Sequence, residues 1–137
     1  MHMKFKKKLN LTPNHFTINT IPGDKSISHR AIIIGSIASN TSKFSNFLMS
    51  EDCKNTISIF KHLGVSIDTS NSTISVSGVG LKGLKAPKTR LNVGNSGTSI
   101  RLITGLLAVQ NFNSIISGGT SIQARPMKRI ITPLTQM

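Results

Sequence analysis

In two places, this sequence sets a glycine-containing polar turn and an arginine in front of an apolar run of helical length. The first is PGDKSISHR followed by AIIIGSIA, and the second is GNSGTSIR followed by LITGLLAV. The apolar spacing predicts helices over about residues 26–38 and 98–109. Aligning Arg30 with Arg101 gives a weak internal repeat whose spacing is too long for a solenoid. The repeat predicts two tandem β-α-β units, each presenting a helix N-terminus and its arginine.

The rest of the pattern predicts short strands, a hairpin and further helices. Strands are expected at 15–20, 43–47, 91–93 and 112–116, a hairpin at 65–69 and 73–77, a loop at 78–87, and helices at 56–63, closed by Gly64, and from Pro126 onward. Up to the hairpin the order is β-α-β-α-β-β, which predicts a fold of the α/β or α+β class. The final residues, RIITPLTQM, have the pattern of an unfinished helix, so we expect a truncated protein.

The charge balance indicates an anionic ligand. Against 17 Lys and Arg there are only 4 Asp and Glu, which gives a formal charge of +13 on 137 residues. Nucleic acid or polyphosphate is one candidate ligand, but the dense basic cluster is confined to residues 4–8. Trp and Tyr are absent, so a binder that stacks bases on aromatic rings is not favoured. A basic binding module remains an alternative, with nucleic acid the less favoured partner.

Cys53 is the single cysteine, so the sequence predicts neither a disulfide framework nor a cysteine-based metal site. His29 has no second ligand at helical spacing, and we expect it to be a surface or core residue beside the site. The basic N-terminus lacks the apolar core of a signal peptide, and no apolar stretch reaches membrane-spanning length. These features together predict a cytoplasmic protein without a membrane partner.

Three basic turns share one design: GDKSISHR (23–30), GNSGTSIR (94–101) and SIQARPMKR (121–129). Each combines small or hydroxyl residues at a helix start with an arginine, so N–H groups, hydroxyls and a guanidinium can converge on an oxyanion. For any one turn taken alone, a simple helix cap at Ser26 or Ser28, or a turn shaped by Asn95, is the favoured explanation. The occurrence of three such turns favours a phosphate or carboxylate site. GDKS lacks the earlier glycine of a nucleotide-binding P-loop, which disfavours nucleotide hydrolysis.

Pro126 fits the first position of a helix, and Gly94 and Gly97 permit close approach of the backbone to a ligand. Asp24, Glu51 and Asp52 could counterbalance the basic turns, although a purely structural role is as well supported.

The motifs PGDKSISHRA, LNVGNSGTSIRLITGLLA and RPMKRIITPL, with SEDCKNTISIFKHLGV between the first two, resemble a known family. It is the family of 5-enolpyruvylshikimate-3-phosphate synthase, also called 3-phosphoshikimate 1-carboxyvinyltransferase. The resemblance covers nearly all of the chain but only roughly the first third of the family's length. It implies two globular halves of repeated β-α-β-α-β-β units around an active-site cleft. Residues 1–21 would then be a leader and strand of the other half, and 22–137 a partial N-terminal domain.

The resemblance implies transfer of the enolpyruvyl group of phosphoenolpyruvate to the 5-hydroxyl of shikimate 3-phosphate, by addition and then elimination of phosphate. This step of the shikimate pathway leads to chorismate and aromatic amino acids, and it needs no metal or organic cofactor. By correspondence, the resemblance implies that Lys25 is the catalytic residue and contacts both substrates. It implies that Ser26 and Arg30 bind shikimate 3-phosphate, and that phosphoenolpyruvate is bound by Asn95, Gly97 and Arg125. Thr98 and Arg101 would support the loop that carries Gly97.

In this family an alanine at the position of Gly97 crowds out glyphosate, so the glycine implies a glyphosate-sensitive pocket. The family's acidic residues for proton transfer lie beyond this chain, so we expect no transferase activity from it alone, and a complementing C-terminal chain is a possible partner. The related UDP-N-acetylglucosamine enolpyruvyl transferases usually have asparagine after the equivalent of Lys25 and a loop cysteine, which makes them the weaker alternative. A degraded coding sequence whose product folds poorly is a third possibility.

Overall fold

The computed structural model describes residues 21–137, so the strand predicted over 15–20 and all but the end of the leader 1–21 lie outside the described residues. Within them, the helices are α1 (Lys25–Ile37), α2 (Glu51–His62), α3 (Gly97–Leu107), α4 (Thr120–Gln123) and α5 (Lys128–Gln136). The strands are β1 (Thr41–Phe44), β2 (Ser66–Asp68), β3 (Ile74–Ser77), β4 (Leu91–Asn92) and β5 (Ile116–Ser117). Over residues 21–137, no helix is long and apolar enough to cross a membrane.

Helix α1 confirms the helix predicted over 26–38, but its N-cap is not one of the serines considered from the sequence. Asp24 caps it, because its side-chain oxygen accepts a hydrogen bond from the Ile27 amide at 2.8 Å. The Ser28 hydroxyl is buried and instead accepts from the Leu48 amide at 3.0 Å. A Cβ at Gly23 would collide with the backbone of Asn46, so glycine lets this turn lie directly on the segment after β1.

Helix α2 begins five residues earlier than its apolar spacing predicts. Ser50 is the N-cap, and Glu51 and Asp52 lie in the first turn, where negative charge complements the helix dipole. Gly64 ends the helix as predicted, with φ of +88°. Its amide bonds to the Lys61 carbonyl and the Val65 amide to the Phe60 carbonyl, which is a Schellman motif.

Strands β1, β3 and β2 form an antiparallel sheet in that spatial order. The hairpin of β2 and β3 is confirmed, with Ile67 paired to Val76. The strand predicted over 43–47 lies instead at Thr41–Phe44, two to three residues earlier. With α1 and α2, the described order α-β-α-β-β agrees with the predicted β-α-β-α-β-β unit after its first strand.

The second unit is a β-α-β element in which β4 and β5 run parallel and α3 connects them. The strand predicted over 112–116 was misplaced: the pairing starts with Leu91 opposite Ile116. Asn111 and Asn113 lie in the irregular segment that precedes that strand. Helix α4 was not predicted, and α5 begins at Lys128, so Pro126 lies before the helix and not at its first position.

One apolar core joins both units. Buried side chains from α1, α2, β3 and α3 form a single cluster that includes Ile32, Phe60, Val76 and Ile103. Helix α1 packs against both α2 and α3. The shared core therefore fixes these three helices relative to one another, and with them the residues at their N-terminal ends.

Candidate active site

The first basic turn lies at the N-terminus of α1. Lys25 is the first residue of the helix, and its Nζ lies 3.1 Å from a carboxylate oxygen of Asp52 in the first turn of α2. Arg30 is exposed and donates through Nη1 to the Ser26 carbonyl at 3.2 Å. The side chains of Lys25, Ser26 and Arg30 all reach the surface, so an anion at this helix end can meet two cations and a hydroxyl.

The second basic turn connects β4 to α3. Gly94 has φ of +58°, a left-handed conformation in which glycine is unstrained, and its amide donates to the Asn92 side chain at 2.8 Å. Ser96 is the N-cap of α3 and accepts from the Ser99 amide at 3.1 Å. Gly97, the first helical residue, is buried. The glycine-rich segment thus begins a helix whose free first-turn N–H groups suit an anion.

Two arginines converge on Gly97. A Cβ placed there would lie 2.7 Å from Nη1 of Arg101 and 2.8 Å from Nη1 of Arg125. Arg101 also donates to the Gly97 carbonyl at 3.0 Å, so both guanidinium groups cover the start of α3. The second and third basic turns of the sequence therefore form one cationic site.

The remaining predicted residues border this site. Asn95 is exposed, and its side-chain oxygen lies against Gly119 at the start of α4. The Gly119 amide donates to the Gly94 carbonyl at 2.8 Å, which joins the Gly94 turn to the segment that leads to Arg125. Thr98 is half-buried on the first turn of α3.

A buried polar cluster, formed by His29, Thr56, Ser96 and Ser99, ties the first turn to the second. His29 Nδ1 lies 2.8 Å from Thr56 Oγ1, which lies 2.9 Å from Ser99 Oγ, which lies 2.7 Å from Ser96 Oγ. This cluster and the pair of Lys25 with Asp52 place the N-termini of α1, α2 and α3 at one end of the molecule. The positive ends of three helix dipoles and the basic side chains therefore face the same region.

His29 is fully buried beside the site, which confirms the core alternative of its prediction. Burial lowers its pKa from the ordinary 6.5, Asp52 opposes this, and the positive charges of Lys25 and Arg30 add to it. Cys53 is also fully buried, and burial raises the pKa of its thiol. The hydroxyls of Thr56, Ser96 and Ser99 were not among the predicted site residues. Ser96 and Ser99 lie within the second basic turn, but nothing in the sequence marks their contact with Thr56 and His29.

An apolar cavity of about 360 Å³ lies beside α3, β5 and α5 and contains none of the predicted site residues. The cationic site is thus an open surface at the helix ends, and not this cavity.

Comparisons with known proteins show the family to which the chain belongs. A family model described as EPSP synthase (3-phosphoshikimate 1-carboxyvinyltransferase) matches residues 15–137. The chain belongs to the EPSP synthase family. The resemblance inferred from its motifs is thereby confirmed.

The matched members of the EPSP synthase family include a 3-phosphoshikimate 1-carboxyvinyltransferase of Bacillus cytotoxicus. It is 56% identical to this chain over 117 residues, and the match covers 85% of this chain and 28% of the relative. The enzyme of Ruthia magnifica is 52% identical, over 85% of this chain and 27% of its own length. An EPSP synthase structure from Acinetobacter baumannii superposes with a TM-score of 0.83 at 47% identity, over 86% of this chain and 27% of that one. The predicted fold class is therefore confirmed, and the chain spans about 28% of the curated relatives' length.

Proposed function

We propose that this chain supplies the N-terminal part of an enzyme that transfers the enolpyruvyl group of phosphoenolpyruvate to shikimate 3-phosphate. The observation that carries the proposal is the convergence of Arg101 and Arg125 on Gly97, at the same end of the molecule as Lys25. Both substrates are multiply anionic, so a surface of helix N-termini and guanidinium groups matches their charge. The names of the relatives support the same reaction.

In the proposed site, Arg125 holds the phosphate of phosphoenolpyruvate bidentately beside Gly97 and Asn95. Arg101, bonded to the Gly97 carbonyl, and Thr98 support that turn. At the other turn Ser26 and Arg30 hold shikimate 3-phosphate. Lys25 contacts both substrates and stabilises the charge that develops as the enolpyruvyl group adds to the 5-hydroxyl and phosphate leaves.

Each carboxylate near this surface in residues 21–137 already has a partner, so none is free for proton transfer. Glu51, in the first turn of α2, lies 3.9 Å from Lys54 Nζ. Asp52 is paired with Lys25, and Asp24 caps α1 through its side chain. We therefore propose that the 137-residue chain binds substrate but does not turn it over, and that a further chain segment or a complementing chain completes the site. Residues 1–21 would belong to the other half and 22–137 to the N-terminal domain. A cytoplasmic location fits the free buried thiol of Cys53.

Calorimetric titration of the chain with shikimate 3-phosphate tests the proposal. Saturable binding that Arg30→Ala abolishes supports the proposal. Arg90→Ala is the matched control, because Arg90 is an exposed basic residue just before β4 and outside the site, and this change should leave binding unchanged. Absence of binding by the folded chain would contradict the proposed site. Turnover by the isolated chain would contradict the proposed incompleteness.

Variants of three other cations of the site decide the alternative of a basic nucleic-acid-binding module. Its main sequence support, the cluster at residues 4–8, lies outside the described residues. Salt-dependent binding of mixed-sequence DNA that survives Lys25→Ala, Arg101→Ala and Arg125→Ala would favour that alternative.

A further inference from the structure

Gly118 and Gly119 connect β5 to α4, and the backbone of this turn does not itself require glycine. Neither residue has a positive φ, and Gly119, with φ of −66° and ψ of 170°, is in an extended conformation that any residue adopts. What glycine provides here is space, because a Cβ at either position would meet an atom of the second basic turn. The two glycines therefore mark a close approach between this turn and the Gly94 turn.

The two glycines approach different parts of the Gly94 turn. A Cβ at Gly118 would lie 2.8 Å from the Gly94 carbonyl oxygen, which belongs to the backbone. A Cβ at Gly119 would collide with the side-chain amide of Asn95, which occupies that space. The Gly119 amide also donates to the Gly94 carbonyl at 2.8 Å. Asn95 thus packs on the residue whose amide joins the two turns.

Backbone hydrogen bonds lead from Gly119 to Arg125. The Gly119 carbonyl accepts from the amides of Ile122 and Gln123, at 2.9 and 3.1 Å. The Ile122 carbonyl in turn accepts from the Arg125 amide at 3.0 Å. The Arg125 guanidinium then reaches the space in front of Gly97. A displacement of Gly119 would therefore move the start of α4, and with it Arg125.

We propose that Gly119 is a positioning residue for the proposed phosphoenolpyruvate site. Because Gly119 has no side chain, the Asn95 amide holds the start of α4, and this places Arg125. The proposal rests on the proposed function, since Arg125 is the residue assigned to the phosphate of phosphoenolpyruvate. Asn95 then affects that phosphate through the position of Arg125, in addition to bordering the ligand.

A double-mutant cycle on the 137-residue chain tests this relationship. Phosphoenolpyruvate is titrated, with shikimate 3-phosphate saturating, into the wild type, Gly119→Ala, Asn95→Ala and the double variant. We expect Gly119→Ala to weaken the affinity about tenfold in the wild type but less than about twofold in the Asn95→Ala background, where its methyl group meets no amide. Affinity for shikimate 3-phosphate alone should stay unchanged. Equal losses in both backgrounds, or an equal loss of shikimate 3-phosphate affinity, overturn the proposal.

Gly118→Ala is the matched control, one residue earlier in the same turn. The atoms nearest to its methyl group would belong to Gly94 and Ile122. Its effect on phosphoenolpyruvate affinity should therefore be the same whether or not Asn95 is replaced by alanine. If Asn95→Ala relieves Gly118→Ala as much as it relieves Gly119→Ala, the turn has loosened as a whole and the proposal is overturned.

Amide hydrogen exchange repeats the cycle without ligand. In Gly119→Ala we expect about tenfold faster exchange at Ile122 and Gln123, whose amides bond to the Gly119 carbonyl, with Val76 in β3 unchanged. In the Asn95→Ala background Gly119→Ala should add no further acceleration. Uniform acceleration, or none, overturns the proposal. If the wild-type chain does not bind phosphoenolpyruvate, the proposed function is wrong, and the exchange cycle alone decides whether Asn95 and Gly119 together hold the start of α4.

Discussion

The ammonium group of Lys25 lies 3.1 Å from a carboxylate oxygen of Asp52, and this contact joins the first turns of α1 and α2. The Lys25 side chain is 51% exposed and that of Asp52 is 28% exposed, so the pair contributes little to stability. Its consequence concerns binding, because the cation proposed to contact both substrates is already partly neutralised. The pair therefore sets how strongly this helix end attracts an anion.

Replacement of Asp52 by asparagine should strengthen binding of shikimate 3-phosphate. Removing the carboxylate leaves the Lys25 charge unopposed, and we expect a gain of about two- to fivefold in affinity at low salt that shrinks as salt is added. Stability should fall by less than about 1.5 kcal/mol, since an exposed pair and one favourable helix-dipole charge are lost. Calorimetry and urea denaturation measure the two effects.

Glu51→Gln is the matched control for that change. Glu51 lies in the same first turn but contacts Lys54, at 3.9 Å, and is far more exposed. Glu51→Gln should raise the affinity for shikimate 3-phosphate less than Asp52→Asn does. An equal gain from both variants would mean that net charge, and not the pair with Lys25, controls binding.

Alanine at Gly97 should weaken phosphoenolpyruvate binding while leaving the fold intact. The added methyl group would lie 2.7 and 2.8 Å from the ends of Arg101 and Arg125, which must both move. Those ends are flexible, so we expect the free energy of unfolding to change by less than about 1 kcal/mol. Phosphoenolpyruvate affinity, measured by titration in the presence of shikimate 3-phosphate, should fall by about tenfold or more.

Gly105 offers the comparison within the same helix. A Cβ there meets no atom within 4 Å, and the position is exposed in the interior of α3. Gly105→Ala should stabilise the chain by about 0.5–1 kcal/mol without changing affinity. Weakened binding in both variants would show that helix α3 itself, and not the space in front of Gly97, had been altered.

The long elements were predictable because their apolar spacing is regular. Helix α1 and the hairpin of β2 and β3 lie within one or two residues of their predicted bounds. The start of α2 was missed because the prediction followed the apolar residues from Thr56, although Ser50 and the two acids after it formed a cap signal. β1 was misplaced because only Phe44 among its residues packs on the core, so alternation gave no clear boundary.

The candidate site was predictable as a set of cationic turns, but the polar cluster behind it was not. Helix N-termini and nearby arginines are visible in the sequence, and the family motifs join them. The contacts of His29 with Thr56, and of Thr56 with Ser99, span 27 and 43 residues. Such pairs depend on how α1, α2 and α3 pack, which a single sequence does not reveal.

Ser28→Ala should lower the free energy of unfolding of the chain. It removes the acceptor for the Leu48 amide, which the buried Ser28 hydroxyl holds at 3.0 Å. We expect a loss of about 1–3 kcal/mol in the free energy of unfolding, measured by urea denaturation. Ser26 lies two residues earlier in α1 and is exposed, so Ser26→Ala should change the free energy of unfolding by less than about 0.5 kcal/mol. A similar loss from both variants would contradict a specific role for the Ser28 bond.

The stability of the chain should fall as the pH drops below about 6.5, because of His29. Burial lowers the pKa of this imidazole in the folded state, so between the two pKa values the unfolded chain binds more protons. The contribution of neutral His29 to the free energy of unfolding is fully present above pH 6.5, and it is lost as the pH falls toward the lower folded-state pKa. The free energy of unfolding should change by at most about 1.4 kcal/mol per pH unit over this interval. Urea denaturation at about pH 7.5 and about pH 5.5 measures the loss, because these values lie roughly one unit above and below the ordinary histidine pKa. His29→Asn should flatten the profile across this interval. A profile that His29→Asn does not change would show that the imidazole titrates alike in both states.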